Sequence, residues 1–82
     1  MEPISVEAHF DEDGTLRPLA FLWQGERLSV HSAGRQWDAG EHRHFLVEVA
    51  GLGVFELTYH QSEHRWHLRR TPSDFGPRKR SI

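Results

Sequence analysis

Residues 17–30 read Arg17-Pro18-Leu19-Ala20-Phe21-Leu22-Trp23-Gln24-Gly25-Glu26-Arg27-Leu28-Ser29-Val30. Two apolar segments flank a Gln-Gly pair, which is the spacing of a two-residue hairpin turn. Turning at Gln24-Gly25 sets Phe21 opposite Leu28 and Leu19 opposite Val30, with Leu19, Phe21 and Trp23 on one face. Ala20 and Leu22 then point the other way. Arg17-Pro18 opens the hairpin, since a proline is tolerated at a strand start or edge.

The rest of the chain extends this pattern. Ile4, Val6, Ala8 and Phe10 alternate with polar residues and predict a half-buried first strand. Asp11-Glu12-Asp13-Gly14 is a turn, and it lacks the ligand series of a calcium loop. The strand after the hairpin turn runs from Arg27 to Ala33, with a bend at Gly34. Ser32–His44 is the one stretch that could hold a helical turn, and Asp38–Glu41 reads as a loop. Phe45, Val47 and Val49 form one face of a fourth strand, and Phe55, Leu57 and Tyr59 one face of a fifth. A turn at Gly51-Leu52-Gly53 would set Val49 against Phe55, Val47 against Leu57 and Phe45 against Tyr59. Four turn residues, Gln61–His64, lead to a sixth strand, Arg65–Arg70, with Tyr59 opposite Trp66 and Leu57 opposite Leu68. No register sets Ile4, Val6 and Phe10 against the Leu19/Phe21/Trp23 face without a bulge near Pro18.

The expectation is an all-β fold. It is an antiparallel meander of about six strands, strongly curled or closed as a small, SH3-like barrel that protects its edges. Residues 1–70 make one small domain, and residues 71–82 a flexible basic tail.

Composition narrows the classes. At 82 residues and 37% apolar content the chain can bury only a small core. It has no cysteine, which removes disulfides and thiolate metal sites and points to a cytoplasmic setting. No apolar run approaches the ~18–20 residues of a membrane span, and the acidic start is unlike a signal peptide. The net charge of −2 hides an asymmetry, because residues 1–16 hold five acids and no Lys or Arg, whereas residues 65–82 hold six bases and one acid.

The pattern Arg-Pro-x-x-Phe-x-Trp-x-Gly at residues 17–25 resembles a small bacterial domain of unknown function. That domain occurs alone or appended to Y-family (translesion) DNA-polymerase-like proteins. The resemblance continues through Val30 and Trp37, then at His44–Val47, Gly53–Leu57 and Arg65–Leu68. It covers roughly residues 4–70. After Trp37 the family is often aromatic and basic, whereas this chain reads Asp38-Ala39-Gly40-Glu41. The resemblance implies a setting in DNA repair or replication and a polymerase-like or repair protein as partner. It assigns no catalytic residue.

Three groups of residues are functional candidates. Arg65, His67 and Arg69 form a basic stripe on the last strand, which Arg70, Arg78, Lys79 and Arg80 extend into the tail. Arginine's planar fork suits phosphate, so these are the candidate nucleic-acid contacts. Ala20 and Leu22 are covered internally, by a sheet wall or by Trp37 folded back over the sheet, or else by a partner; they are the candidate partner-binding residues, because an apolar patch left exposed on a small domain docks something, a second copy included. His42, His44 and His60 are the third group, since three imidazoles can hold zinc. Arg65 beside them would repel a cation, and no metal motif supports the idea, so no metal or other cofactor is expected. Glu48, Glu56 and Arg69 are expected in one row, where the arginine offsets two like charges. With no nucleophile motif or phosphate loop, the reading is a non-enzymatic interaction module. Self-association and a His-rich metal protein are the alternatives.

Overall fold

The computed structural model describes residues 2–75. Among them are eight strands: β1 Glu2–Ile4, β2 Val6–Phe10, β3 Leu16–Trp23, β4 Glu26–Ser29, β5 Ser32–Ala39, β6 His42–Val49, β7 Gly53–His60 and β8 Arg65–Arg70. They form two antiparallel sheets, one of five strands in the order β1-β8-β7-β6-β5 and one of three in the order β2-β3-β4. The all-β expectation holds. The six-strand count does not, because the first and third expected segments each divide between the two sheets. Ile4 pairs with Trp66 of β8, while Ser5 O accepts from Leu22 N–H of β3. Val30 N–H donates to Leu19 O of β3, while the next amide, His31, donates to Glu48 O of β6. The pairing gives two sheets rather than one closed barrel.

The hairpin forms as read. Phe21 pairs with Leu28 and Trp23 with Glu26. Gln24 and Gly25 have φ of 52° and 80°, both in the left-handed region a type I′ turn requires. The bulge near Pro18 is also present: Glu7 pairs with Ala20 and Ala8 with Pro18, so Leu19 is the extra residue. It changes which side chains point inward. Leu16 and Pro18 are buried before the bulge and Ala20 and Phe21 after it, whereas Leu19 is exposed. Strict alternation, which put Leu19 on the inner face with Phe21, is corrected here; Ala20 does point away from Phe21, in a row with the exposed Glu7 and Ser29, yet it is fully buried. Ala8 and Phe10 are also exposed rather than half-buried.

The two sheets enclose one core. Leu16, Phe21 and Leu28 meet Phe45, Val47, Val49, Phe55, Leu57 and Leu68. Phe55 lies at the junction, edge-on to both Phe21 and Trp23 with ring centroids 5.1 Å away in each case. Fully burying such a side chain contributes roughly 1.5–3 kcal/mol.

Two further expectations change. Ser32–Ala39 is a strand, not a bend, helical turn and loop; a bulge between Ala33 and Gln36 accommodates Gly34, and only Gly40-Glu41 turns. The β6–β7 register is shifted by two residues: Val49 faces Gly53, Val47 faces Phe55 and Phe45 faces Leu57. A shift of two keeps every side chain on its face, so the core residues are unaffected. The β7–β8 pairing is as expected, with Tyr59 opposite Trp66 and Leu57 opposite Leu68. Pro72–Phe75 form a 3-10 turn, and the Arg70 guanidinium lies 4.4 Å from the Phe75 ring centroid. Arg78, Lys79 and Arg80 lie outside the described residues.

Candidate functional site

The candidate polar residues gather on the outer face of the five-stranded sheet. Register places them in rows across the strands. One row is Ala39, His42, His60 and Arg65; the next is Trp37, His44, Thr58 and His67; the third is Leu46, Glu56 and Arg70. Each row differs from expectation through the two-residue shift of β6 against β7, and the third also through a bulge in β8 that puts Arg70 in the place expected of Arg69. Glu48 now faces Ser32 and Val54, so Glu48 and Glu56 are not a carboxylate pair.

Glu56 is the centre of the face. Its side chain is only 1% exposed although it points away from the core. Arg70 Nε–H donates to Oε1 at 2.7 Å, and Arg69 Nε lies 3.3 Å from Oε2. Both arginines reach it because β8 is bulged between Leu68 and Arg70, where Arg69 is the extra residue. His44 Nδ1 is 2.9 Å from Oε2. A carboxylate only accepts, so His44 carries its proton on Nδ1 and donates it. A carboxylate this buried requires such partners, because an unpaired one would lose its hydration with nothing in return.

The histidines form a second network. His42 and His60 face each other edge-on at 4.6 Å between centroids, and His44 lies 6.3 Å from His42. His60 Nδ1 accepts from the Glu63 backbone N–H at 3.1 Å, which leaves Nε2 to face Glu41 at 3.4 Å. Among the described residues no three His, Asp or Glu side chains converge as a metal-ligand set. His67 Nδ1 is buried without a hydrogen-bond partner among the described residues.

Trp37 belongs to the same face, where β5 places it in a row with His44. Its indole stacks on His44 at 5.1 Å with planes 8° apart. The Arg35 guanidinium lies 5.4 Å from the indole centroid. Trp37 therefore does not cover Ala20 and Leu22, which lie on the other sheet.

Those two residues separate. Ala20 is fully buried and offers no surface to a partner; Leu22 is 48% exposed. The cover over Ala20 is internal. Arg27 of β4 holds Glu7 of β2 in a two-pronged bridge, Nε to Oε2 at 2.6 Å and Nη2 to Oε1 at 2.8 Å. This fork spans β3 where Ala20 pairs with Glu7. The hydrogen bond from Arg27 holds the Glu7 carboxyl below its ordinary range, and the same bond raises Arg27.

Of the basic stripe, Arg65, His67, Arg69 and Arg70 do share the outer face, and Arg65 makes no ion pair among the described residues. No helix among the described residues is long and apolar enough to cross a membrane. Comparisons of the chain with family models, curated proteins and solved structures give no match.

Proposed function

We propose that this chain is a non-enzymatic interaction module whose working surface is the outer face of the five-stranded sheet. Arg65, His67, Arg69 and Arg70 make phosphate contacts there. The carrying observation is the cluster at Glu56. Two guanidiniums converge on one carboxylate, so one positive charge is left over, and both arginines are held rather than free to wander. Each is still nearly half exposed, at 49% and 44%, so each can turn its remaining N–H donors to an anion. Arg65 adds a further charge two rows away. Glu56 is engaged by its partners and apart from Glu48, which argues against acid–base chemistry by that pair.

The setting in DNA repair or replication, with a polymerase-like or repair protein as partner, rests on the resemblance of residues 17–25 and its continuation. A cytoplasmic setting rests on the absence of cysteine. The hydrogen bonds at Ser5 and His31 support the view of the two sheets as one strongly curled six-segment sheet.

The test is a fluorescence-anisotropy titration of labelled single- and double-stranded DNA at two salt concentrations. Binding that weakens with added salt supports phosphate contact. Absence of binding at low salt removes it. Self-association is the second reading, favoured by Phe10, Leu19 and Leu22, which are 60%, 48% and 48% exposed on the small sheet. Light scattering at high protein concentration decides it, since a strict monomer eliminates the dimer.

A further inference from the structure

We infer that the outer face of the five-stranded sheet is a platform for single-stranded nucleic acid, with a base stacked at Trp37. This rests on the phosphate-contact reading and names the form of nucleic acid that the face takes.

Three observations carry it. The first is the position of Trp37, in the row that runs through His44 and Thr58 to His67. Its partner on one side is an imidazole stacked nearly parallel at 5.1 Å. A nucleobase that takes the place of the Arg35 guanidinium, 5.4 Å from the indole centroid, extends a stack that already exists. Trp37 also belongs to β5, an edge strand of its sheet, so no further strand blocks approach from that side.

The second is the charge around it. Arg35, Arg65, Arg69 and Arg70 reach this face, against Glu41, Glu48 and Glu56. Arg35 already lies over the indole, and a guanidinium so placed can stack on a base or turn to its phosphate. β5 and β8 are three strand spacings apart, roughly 14 Å. A base at Trp37 and a phosphate at Arg65 therefore belong to neighbouring parts of one extended strand.

The third is relief. Thr58 is wholly buried and Glu56 1% exposed although both point outward, so flanking side chains fill the middle of the face. Reading duplex DNA requires an element that enters a groove. A sheet face filled at its middle, with an aromatic and a basic margin, suits unstacked bases laid across it.

The experiment uses the full chain and three probes of equal length, ~12 nucleotides: oligo-dT, an abasic oligomer with the same phosphates, and a duplex. An oligo-rU arm separates RNA from DNA as the source of the strand. Wild type, Trp37→Phe and Trp37→Ala are compared by anisotropy at low salt, with thermal melts to confirm folding. The expected result is single-strand binding about tenfold tighter than abasic binding. Trp37→Ala should remove that difference and leave abasic binding unchanged, and Trp37→Phe should retain most of it. Equal binding of oligo-dT and abasic oligomer by wild type overturns the inference and leaves the phosphate reading standing. Preference for the duplex overturns it as well. No binding of any probe overturns both. The wild-type comparison of oligo-dT with abasic oligomer decides the matter even if Trp37→Ala fails to fold.

Discussion

Replacing Glu56 by Gln tests whether the outer-face cluster is held by its carboxylate. Breaking a fully buried ion pair costs about 3–5 kcal/mol. Glu56 is buried to that degree, but Arg69 and Arg70 are close to half exposed. They regain water when the carboxylate leaves, so the figure must be discounted for solvent. Gln keeps one carbonyl acceptor, enough for either the 2.7 Å bond from Arg70 or the 2.9 Å bond from His44, not both. Losing one hydrogen bond to a charged group costs about 1.5–3 kcal/mol. The expected loss is therefore about 2 kcal/mol, which in a domain of this size lowers Tm by roughly 8–16 °C. Urea denaturation followed by circular dichroism measures it. Glu48→Gln is the control; Glu48 is exposed and its contact is a 3.2 Å bond from Ser32 Oγ, so the change should stay within about 0.5 kcal/mol. A double-mutant cycle with Arg70→Gln should return a coupling of about 1 kcal/mol or more. If Glu56→Gln costs no more than Glu48→Gln, the cluster is an incidental surface contact and the reasoning fails.

Other outcomes follow from backbone and charge. Gly53 has φ of +119°, and a Cβ there would lie 3.2 Å from Pro72 Cβ, so Gly53→Ala should destabilise by at least about 1 kcal/mol. Gly34→Ala should be neutral or slightly stabilising, because its nearest neighbour would be Leu46 O at an ordinary 3.6 Å; paired thermal melts compare the two. Gln24→Asn should raise stability by about 0.5 kcal/mol, since Gln24 has φ of 52° and Asn tolerates that region better. Glu7 is held below its ordinary range by Arg27. Its stabilising contribution is present above the unfolded-state value and is lost as pH falls through the lower folded value. Glu7→Gln should therefore flatten the acid limb of the stability–pH curve, and an acid limb unchanged in the variant would contradict this.

The elements legible from sequence are those whose apolar pattern met a matching turn. Gln24-Gly25 and the aromatic alternation around it left one register open, and Gln61–His64 did the same for β7 and β8. Where turn length was ambiguous, as between Val49 and Gly53, alternation decided the faces but not the register, since a slip of two leaves each face apolar or polar as before. β5 was illegible because it is an edge strand with only Trp37 partly buried, so it has no apolar period to read. The bulges at Leu19 and Arg69 add a residue without altering composition. The first turns Leu19 out of the core, and the second brings two arginines to Glu56. The site was thus visible as residue types on the correct face of β7 and β8, while its neighbours depended on register.

β1 lies beside β8, so Glu2 pairs with Leu68 and Ile4 with Trp66. Every other strand pair joins segments adjacent along the chain, or nearly so. Bringing together ends about sixty residues apart costs about 2 kcal/mol more loop-closure entropy than a four-residue hairpin. In an unfolded chain that closure waits until the hairpins have shortened the path between the two strands. On a ribosome it waits for Arg70 to emerge. The amides paired across this seam should exchange with solvent deuterium faster than those between β6 and β7. The seam is the last stitch in assembly and the first to loosen, and it runs along the strand that carries Arg65 and His67.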